Sequence, residues 1–396
     1  MCGILGYSSL NKSNINKFPI KKILKTLEHR GPDSAKYIKT SNCYFAHTRL
    51  SIIGLKEKNA LQPVVKDNKV LTFNGEIYNY KEISKVLNNS GIKDSGKSDT
   101  ETLFNCLSFY GLQKTLSIID GMYAFAYFDQ SKNLIYIARD KIGEKPLYWA
   151  KNSSDFIFAS EIKSIFYSNI CRHDPNIDRM YEIFIHGKID GTETAFSKIN
   201  ELEPGTFIVL NTKNNSYRVK SYWNIEDINI LKSNSIADEF DERFNNCIQS
   251  RLISDVPVGS LISGGVDSSS LVYKMLEIGN LDEIKLFFAQ NNISEINEIS
   301  GVKFFFNFLK NRFKNNRINL HVLKNKINDY WNNIEEVAFY NDEPCAFTNF
   351  HLVYSLAKII KKNNLKVIFS GEGADEIFFG YDRFKRNDLL FQKGRR

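Results

Sequence analysis

The residues at the amino terminus could supply a nucleophile and its base together. Cys2 follows Met1 directly, so removal of Met1 would leave a thiol and a free α-amine on one residue. An exposed α-amine has a pKa of about 8 and can accept the thiol proton. Cys2 could equally be an ordinary small residue ahead of a strand, because the reactivity of a cysteine depends on its surroundings. The remaining sequence has to decide between these two interpretations.

Five further residues of the first half have the chemistry to bind an amino acid. Arg49 could hold a carboxylate through two parallel hydrogen bonds. Asn74 and Gly75 follow a predicted strand, and their side-chain amide and backbone N–H groups are suitable donors to an oxyanion. Glu76 and Asp99 could bind an ammonium group. An isolated arginine is more often a surface charge and an Asn-Gly pair a hairpin turn, so the prediction depends on finding all five together with the N-terminal cysteine.

A glycine-rich loop in the second half is typical of an anion-binding site. Residues 263–269 read S-G-G-V-D-S-S and lie between a predicted strand and a predicted helix. Small residues let backbone N–H groups approach a phosphate, and the helix N-terminus adds positive potential. Asp267 would suit a phosphate that carries Mg²⁺. The loop lacks the G-K-[ST] ending of a Walker A motif, and a plain glycine turn capped by serine would give similar letters.

A second, acidic loop has the same position relative to a strand. Residues 370–376 read S-G-E-G-A-D-E and follow a predicted strand. In open α/β sheets, ligands bind outside the carboxyl ends of the strands, so both loops are predicted to converge on one nucleotide. Asp267 and Asp375 would then be the Mg²⁺ ligands, since hard carboxylate oxygens suit a hard cation. A solvent-exposed acidic turn is the alternative.

The composition points to a globular, intracellular protein. The chain has 396 residues, 42% of them hydrophobic, and a net charge of +8. Its lysines are scattered rather than arranged in a basic stripe, so no nucleic-acid partner is expected. The six widely spaced cysteines form no C-x-x-C pair, which argues against a zinc site or a disulfide framework and for a reducing compartment. We find no leader and no membrane-spanning apolar run, and therefore expect a cytoplasmic protein without a membrane partner.

The pattern of hydrophobic residues changes near the middle of the chain. The first part favours short strands and turns, whereas strands alternating with helices after residue 236 predict a parallel sheet covered on both faces. An Asn-rich polar stretch separates them. We therefore expect domains at 1–212 and 236–396, joined by a linker at 213–235. Strands are predicted at 2–7, 44–50, 70–73, 122–128, 134–139, 156–159, 206–210, 258–262, 284–288, 321–322 and 367–370, and helices at 20–28, 100–110, 236–252, 268–276, 304–313 and 352–361.

Taken together and in order, these motifs resemble a known family over nearly the whole chain. Eight motifs of the first half resemble class II glutamine amidotransferase domains. The two loops of the second half, S-G-G-V-D-S-S and S-G-E-G-A-D-E-I-F-F-G-Y, resemble the synthetase half of glutamine-hydrolysing asparagine synthetases. The first-half motifs are M-C-G-I, R-G-P-D, A-H-T-R-L-S-I, N-G-E-I-Y-N, S-D-T-E, G-M-Y-A-F, A-R-D-K-I-G-E-K-P-L-Y and A-S-E-I-K-S.

The resemblance implies a fold and a reaction. The fold is an α+β N-terminal-nucleophile αββα sandwich followed by an α/β parallel-sheet domain of the adenine-nucleotide α-hydrolase type. Cys2 would form a glutamyl thioester and release ammonia, which would pass through an internal tunnel to an acceptor carboxylate activated by ATP as an acyl-adenylate. Glu372 would assist proton transfer there, and the resemblance allows a homodimer. The implied glutamine site is Arg49, Leu50, Ile52, Asn74, Gly75, Glu76 and Asp99; the implied ATP site is Leu261, Ser263, Gly264, Gly265, Asp267, Ser268, Ser269, Ser370 and Gly371, with Mg²⁺ on Asp267 and Asp375.

The sequence leaves three alternatives open for the acceptor and for the activity. Aspartate, which would give asparagine, is the first choice. A relative that amidates another carboxylate, such as a uronic acid of a surface polysaccharide, is the second. A glutaminase-only protein, or an inactive partner of a complete homologue, is the third. A β-lactam-forming relative is disfavoured, because its amide-forming role needs no Cys2.

Two departures from the family concern the second half. Family members continue past the second acidic loop into helices that carry a lysine near the pyrophosphate, whereas this sequence stops at Arg396, so we expect an ATP-binding domain that is incomplete at its carboxyl end. Residues 291–326 also lack the usual family pattern. The stretch 342–344, Asp-Glu-Pro, is a candidate for the acceptor or tunnel region, or else a helix-breaking loop.

Overall fold

The computed structural model describes residues 1–228, 235–290, 298–324, 327–344 and 349–381. The chain forms two compact units: the first comprises Met1–Lys232 and Glu335–Thr348, the second Ser233–Ile334 and Asn349–Arg396. Part of the expected linker, part of the divergent 291–326 stretch and the end of the chain lie outside the described residues.

Within the described residues, the first unit contains two six-stranded antiparallel sheets. The first has the order β10-β8-β9-β1-β3-β2 and the second β12-β11-β7-β6-β5-β4. The strands are β1 (Gly3–Ser9), β2 (Ser34–Lys39), β3 (Cys43–Arg49), β4 (Val64–Lys66), β5 (Lys69–Ile77), β6 (Gly121–Asp129), β7 (Leu134–Arg139), β8 (Tyr148–Lys151), β9 (Asp155–Ala159), β10 (Ile199–Glu201), β11 (Thr206–Asn211) and β12 (Tyr217–Ser221). The helices are α1 (Lys12–Lys17), α2 (Ile20–Thr26), α3 (Tyr80–Asn89), α4 (Asp99–Ile118), α5 (Ile162–Phe166) and α6 (Ile177–His186).

Alternating side chains make this unit a four-layer sandwich. Successive residues of a strand point to opposite faces, and in β1 Ile4 joins the core between the two sheets while Leu5 joins a second core beneath α1, α2 and α5. In β3, Phe45 and Ala46 divide in the same way. Helix α4 packs on β5 of the second sheet and α3 packs on α4. The layers are therefore helix, sheet, sheet, helix, which confirms the αββα fold.

The second unit is built on a parallel sheet with the order β15-β14-β13-β16. Adjacent residues of β14 again serve opposite faces, since Phe288 belongs to the core with α7, α8 and α9 and Phe287 to the core with α11. The predicted two-sided parallel sheet is thus confirmed. The elements are β13 (Val258–Leu261), β14 (Glu283–Gln290), β15 (Arg317–Lys324), β16 (Val367–Phe369), α7 (Ile236–Arg251), α8 (Val266–Ile278), α9 (Glu298–Arg312), α11 (Asn349–Lys362) and α12 (Ala374–Phe378). Helix α10 (Ile327–Asn341) begins in this unit, and its residues from Glu335 onward belong to the first.

The structure differs from the sequence-based expectation at two instructive places. Residues 217–221, inside the expected linker, form β12 on the edge of the second sheet. The Asn-rich segment before them forms the turn between β11 and β12, in which Asn215 has a φ of 56°. Helix α4 continues to Ile118 across a kink at Gly111, where φ is 74°. The expected domain limits at 212 and 236 stay predictions. In the described part of the chain, we find no helix with the length and apolar character needed to cross a bilayer.

Candidate active sites

Strand pairing places Cys2 beside the end of β3. Gly3 of β1 pairs with Thr48 of β3, so the backbone of Leu50 lies next to the thiol. The Leu50 N–H donates to Cys2 Sγ at 3.4 Å, and Sγ lies 3.7 Å from the Leu50 carbonyl oxygen. Burial raises the pKa of the Cys2 thiol, and the Leu50 hydrogen bond counters this only in part. The thiol is therefore neutral at rest and needs a base.

The α-amine of Met1 lies in a buried environment although the residue as a whole is exposed. Met1 is 52% exposed. Burial, helped by the charges of Arg30 and Lys145, lowers the pKa of the Met1 amine to about 5. An α-amine held in this environment is neutral at pH 7 and can accept a proton, but the amine becomes that of Cys2 only after Met1 is removed.

Strand β5 supplies the two donors expected for an oxyanion. Asn74 is 1% exposed, and its Nδ2 has no hydrogen-bond partner among the described residues. Gly75 lies so close to β6 that a Cβ there would sit 2.1 Å from the Met122 carbonyl oxygen and 2.7 Å from Tyr123 Cα. A glycine is therefore required at this position for β5 and β6 to pair.

Replacing Gly75 with alanine should damage both folding and catalysis. The new methyl group would clash with backbone atoms that cannot move independently, so we expect a loss of stability of about 1–3 kcal/mol together with a lower rate of the glutamine hydrolysis that the sequence predicts. Thermal unfolding and initial rates measure the two effects.

The matched control for this substitution is Gly301→Ala. Gly301 lies in α9, and a Cβ there meets no atom within 4 Å. The control should keep the melting temperature and the rate. A Gly75→Ala protein with both values unchanged would refute the steric argument.

Arg49 lies at the end of β3, where it holds a loop in place. Its Nη2 donates to the carbonyl oxygens of Gly54 at 2.8 Å and Ile53 at 3.4 Å. The neighbouring cavity has a volume of about 30 Å³, which is room for about two water molecules. The glutamine expected from the sequence is larger than this volume, so its binding would require the loop after Arg49 to move outward.

Asp99 reaches the same cavity from the first turn of α4. Its carboxylate accepts the N–H groups of Ile77 at 3.2 Å and Thr100 at 2.7 Å. Burial raises the pKa of Asp99 to about 6, although these hydrogen bonds oppose the change. The structure thus brings the predicted residues together, with Asn74 beside them in β5. The predicted residues that line the cavity are Cys2, Arg49, Leu50, Ile52, Gly75, Glu76 and Asp99.

Several residues of the cavity were not predicted. His47 lines it and is 2% exposed; burial lowers the pKa of its imidazole to about 3, so the ring is neutral. His47 stands two positions before Arg49 in β3, and the period of a strand could have indicated it. Gln62 Oε1 accepts the Phe73 N–H at 2.6 Å, and Gln62 Nε2 donates to Thr100 Oγ1 at 3.4 Å. These hydrogen bonds connect segments that are distant in the chain, and no sequence pattern indicates them.

The two small-residue loops of the second unit meet at the carboxyl ends of neighbouring strands. Ser260 of β13 pairs with Phe369 of β16, and a Cβ at Gly371 would lie 2.8 Å from the Ser268 backbone nitrogen. Between the loops is a cavity of about 370 Å³, a volume suited to a small ligand. The predicted residues that line it are Leu261, Ser263, Asp267, Ser268, Ser370, Gly371, Glu372 and Asp375.

Three predicted ATP-site residues do not line this cavity. Gly264, with a φ of 79°, forms the turn of the first loop. Gly265 precedes α8, and its N–H donates to Ser263 Oγ at 3.2 Å. Ser269 lies instead in a groove with Phe240 and other residues of α7, α8 and α9. In this structure Gly264 and Gly265 shape the loop, whereas Ser269 lies inside α8.

The carboxylates of Asp267 and Asp375 line one cavity and fit the expected Mg²⁺. Among the described residues no group of three or more side chains could hold a metal ion by itself. Mg²⁺ is commonly held by one or two carboxylates together with substrate phosphates. The two aspartates are therefore a suitable donor set for Mg²⁺ that arrives with a nucleotide.

Comparisons with known proteins identify two families in the chain. Residues 1–223 match the family described as glutamine amidotransferase domain, and residues 239–396 match asparagine synthase. The chain is similar to three glutamine-hydrolysing asparagine synthetases of Bacillus subtilis: number 1 is 29% identical over 97% of this chain and 60% of its own, number 2 is 30% identical over 96% and 52%, and number 3 is 29% identical over 98% and 64%. The chain thus spans less than two thirds of the length of each of these relatives.

Proposed function

Since the chain belongs to the glutamine amidotransferase family and continues into an asparagine synthase region, we propose that it amidates a carboxylate, aspartate in the first instance, with glutamine as the nitrogen donor and ATP as the activating substrate. The observation that carries this proposal is the presence in one chain of two cavities. One is lined by Cys2 and lies beside the Asn74 amide, which has no partner among the described residues, and the other is nucleotide-sized and lined by two aspartates.

The first reaction is the hydrolysis of glutamine at Cys2. After removal of Met1, the α-amine of Cys2 takes the thiol proton, and the thiolate attacks the side-chain amide carbon. Negative charge on the amide oxygen is stabilised by Asn74 Nδ2 and the Gly75 N–H. The C–N bond breaks as the protonated amine returns its proton to the leaving ammonia. Water then hydrolyses the thioester to glutamate and frees the thiol.

Binding of glutamine uses charges that already face the cavity. Arg49 would exchange the Gly54 carbonyl oxygen for the glutamine carboxylate, a stronger charge-assisted partner. Glu76 and Asp99 would hold the α-ammonium group, while Leu50 and Ile52 close over the substrate. The same exchange would release the loop and enlarge the cavity.

The second reaction activates the acceptor in the cavity of the second unit. The acceptor carboxylate attacks the α-phosphate of ATP, which releases pyrophosphate and gives an acyl-adenylate. Ammonia then displaces AMP, and Glu372, which lines the cavity, would accept the surplus proton. Ser263, Ser268 and Gly371 would hold the nucleotide. Mg²⁺ bound by the two aspartates would neutralise phosphate charge.

The proposed role of Asp99 predicts an acid limit for glutamine use. Asp99 binds an ammonium group only as a carboxylate, and its pKa is about 6. The charged form is present above this pH and is lost as the pH falls through 6. The kcat/KM for glutamine, which reports the free enzyme, should therefore fall below pH 6 by about tenfold per pH unit.

The Asp99→Asn variant is the control for this acid limit. Its kcat/KM should be low throughout, without the fall centred near pH 6. A wild-type kcat/KM that is constant between pH 5 and 8 would contradict the role of Asp99. A variant whose kcat/KM still falls below pH 6 would contradict it as well.

Product analysis tests the proposed function as a whole. The purified chain is supplied with glutamine, ATP, Mg²⁺ and aspartate, and glutamate, asparagine, AMP and pyrophosphate are measured. Aspartate-dependent exchange between ATP and pyrophosphate is expected. Exchange that requires a sugar acid and ignores aspartate would overturn the choice of acceptor, and a chain that never hydrolyses glutamine would overturn the proposal.

A further inference from the structure

A cluster of buried charges around Glu161 has no part in the chemistry proposed above. The Glu161 carboxylate accepts hydrogen bonds from His29 Nε2 at 2.7 Å, Arg30 Nη1 at 3.0 Å and Lys163 Nζ at 2.7 Å. Burial by itself would raise the pKa of Glu161, but the His29 hydrogen bond and the charges of Arg30 and Lys163 outweigh it and lower the pKa to about 2. Glu161 is therefore a permanent anion at physiological pH.

Arg30 connects this cluster to the nucleophile. Its Nε donates to the backbone carbonyl oxygen of Cys2 at 3.0 Å while Nη1 contacts Glu161. A guanidinium is planar and rigid, so an anion that fixes one of its edges also fixes the direction of the others. Glu161 therefore fixes the orientation of the guanidinium that contacts the Cys2 carbonyl oxygen. That carbonyl belongs to the same residue as the thiol.

The opposite side of the cluster is bound by a segment from much later in the chain. Asp342 directly follows α10 and belongs to the first unit. Its carboxylate lies 2.8 Å from Lys163 Nζ and also accepts the Ile162 N–H at 2.8 Å. The ring of Tyr340 packs 4.9 Å from that of His29. Residues 335–344 therefore dock on the charges that orient Arg30, and this is where the structure places the Asp-Glu-Pro stretch.

We propose that Glu161 and Asp342 are positioning residues for glutamine hydrolysis: through Lys163 and Arg30 they hold the Cys2 backbone, so the rate at Cys2 depends on the docking of residues 335–344. The inference rests on the proposed glutaminase function. A role in stability alone is a weaker explanation, because buried ion pairs contribute little net stability compared with apolar residues of similar size. The contact between Arg30 and the Cys2 carbonyl gives the cluster a direct path to the nucleophile.

Glu161→Gln tests the proposal while preserving the size of the side chain. We expect kcat for glutamine hydrolysis to fall about 10- to 100-fold, since small misplacements of a reacting group have effects of this size. KM should change by less than about twofold, because the residues that line the glutamine cavity are intact. Alkylation of Cys2 by iodoacetamide, measured in a Cys247→Ala background to remove an exposed thiol, should slow in parallel.

Asp342→Asn tests the contact of Asp342 with Lys163, which is farther from Cys2 than Glu161 is. The substitution should lower kcat by a smaller factor than Glu161→Gln does and leave KM unchanged. The double variant should resemble Glu161→Gln, because residues that act through a common path are not additive. If Glu161→Gln does not fold, Asp342→Asn decides alone, and an unchanged kcat then overturns the proposal.

The control is Asp190→Asn. Asp190 belongs to the same unit, and its carboxylate forms an exposed ion pair with Lys188 Nζ at 2.6 Å, away from the cluster around Glu161. The control removes one negative charge from the unit and should keep the wild-type kcat.

The remaining outcomes separate this proposal from the function on which it rests. Glu161→Gln that lowers only the melting temperature, or raises only KM, overturns the positioning role. Fully additive effects of the two substitutions overturn the link through Lys163. Wild-type protein that hydrolyses no more glutamine than Cys2→Ala would instead overturn the proposed glutaminase.

Discussion

Cys2→Ala should abolish glutamine hydrolysis while leaving the ATP reaction intact. Loss of a nucleophile lowers kcat by several orders of magnitude, about 10⁴-fold or more in well-studied hydrolases. Adenylation of the acceptor uses other residues, so ATP–pyrophosphate exchange and amidation with added ammonia should continue at the wild-type rate. Glutamate release and pyrophosphate exchange measure the two reactions separately.

Two controls make the Cys2 experiment specific. Cys247→Ala removes an exposed thiol and should have no effect on either reaction. The intact mass of the wild-type protein should be lower than that of the full sequence by one methionine residue, because the proposed base is the α-amine of Cys2. Glutamine hydrolysis that persists at the wild-type rate after Cys2→Ala would exclude the N-terminal nucleophile.

Asp267→Asn should have the converse effect. The substitution keeps the shape of the loop but removes the charge of one of the two aspartates proposed to hold Mg²⁺ beside the phosphates. Metal stabilisation of a phosphoryl group contributes several kcal/mol, so we expect ATP–pyrophosphate exchange to fall by about 100-fold or more. Glutamine hydrolysis at Cys2 should be unaffected.

An exposed aspartate of the same unit serves as the control. Asp241 of α7 forms an ion pair with Lys274 at 3.0 Å, and surface pairs of this kind contribute little to stability. Asp241→Asn should leave both reactions unchanged. Exchange that is insensitive to Asp267→Asn over a range of Mg²⁺ concentrations would mean that the cavity between the two loops is not the nucleotide site.

The arrangement of the second unit was more predictable than that of the first. Parallel strands have their carboxyl ends at one edge of the sheet, so the convergence of Asp267 and Asp375 follows from a general rule. The first cavity is formed instead by antiparallel pairing between distant segments, such as Gly3 with Thr48. Pairing of this kind leaves no periodic signal in either segment, and only the family resemblance brought Cys2, Arg49 and Asp99 together in advance.

Local sequence signals were misleading where one residue type serves two purposes. Asparagine is frequent in polar linkers and also adopts positive φ in tight turns, and Asn215 does the latter between two strands. Glycine usually ends a helix, but Gly111 only bends α4. The engagement of Arg49 with Gly54 depends on loop packing that no pattern encodes.

The unpaired amide of Asn74 has a thermodynamic consequence. A buried donor without an acceptor costs a protein about 1–3 kcal/mol, and Asn74 Nδ2 has no acceptor among the described residues. Proteins have only a narrow margin of stability, so under the proposed function part of that margin is used at β5 for a charge that would develop only during turnover. Selection for stability alone would favour an apolar side chain at this position.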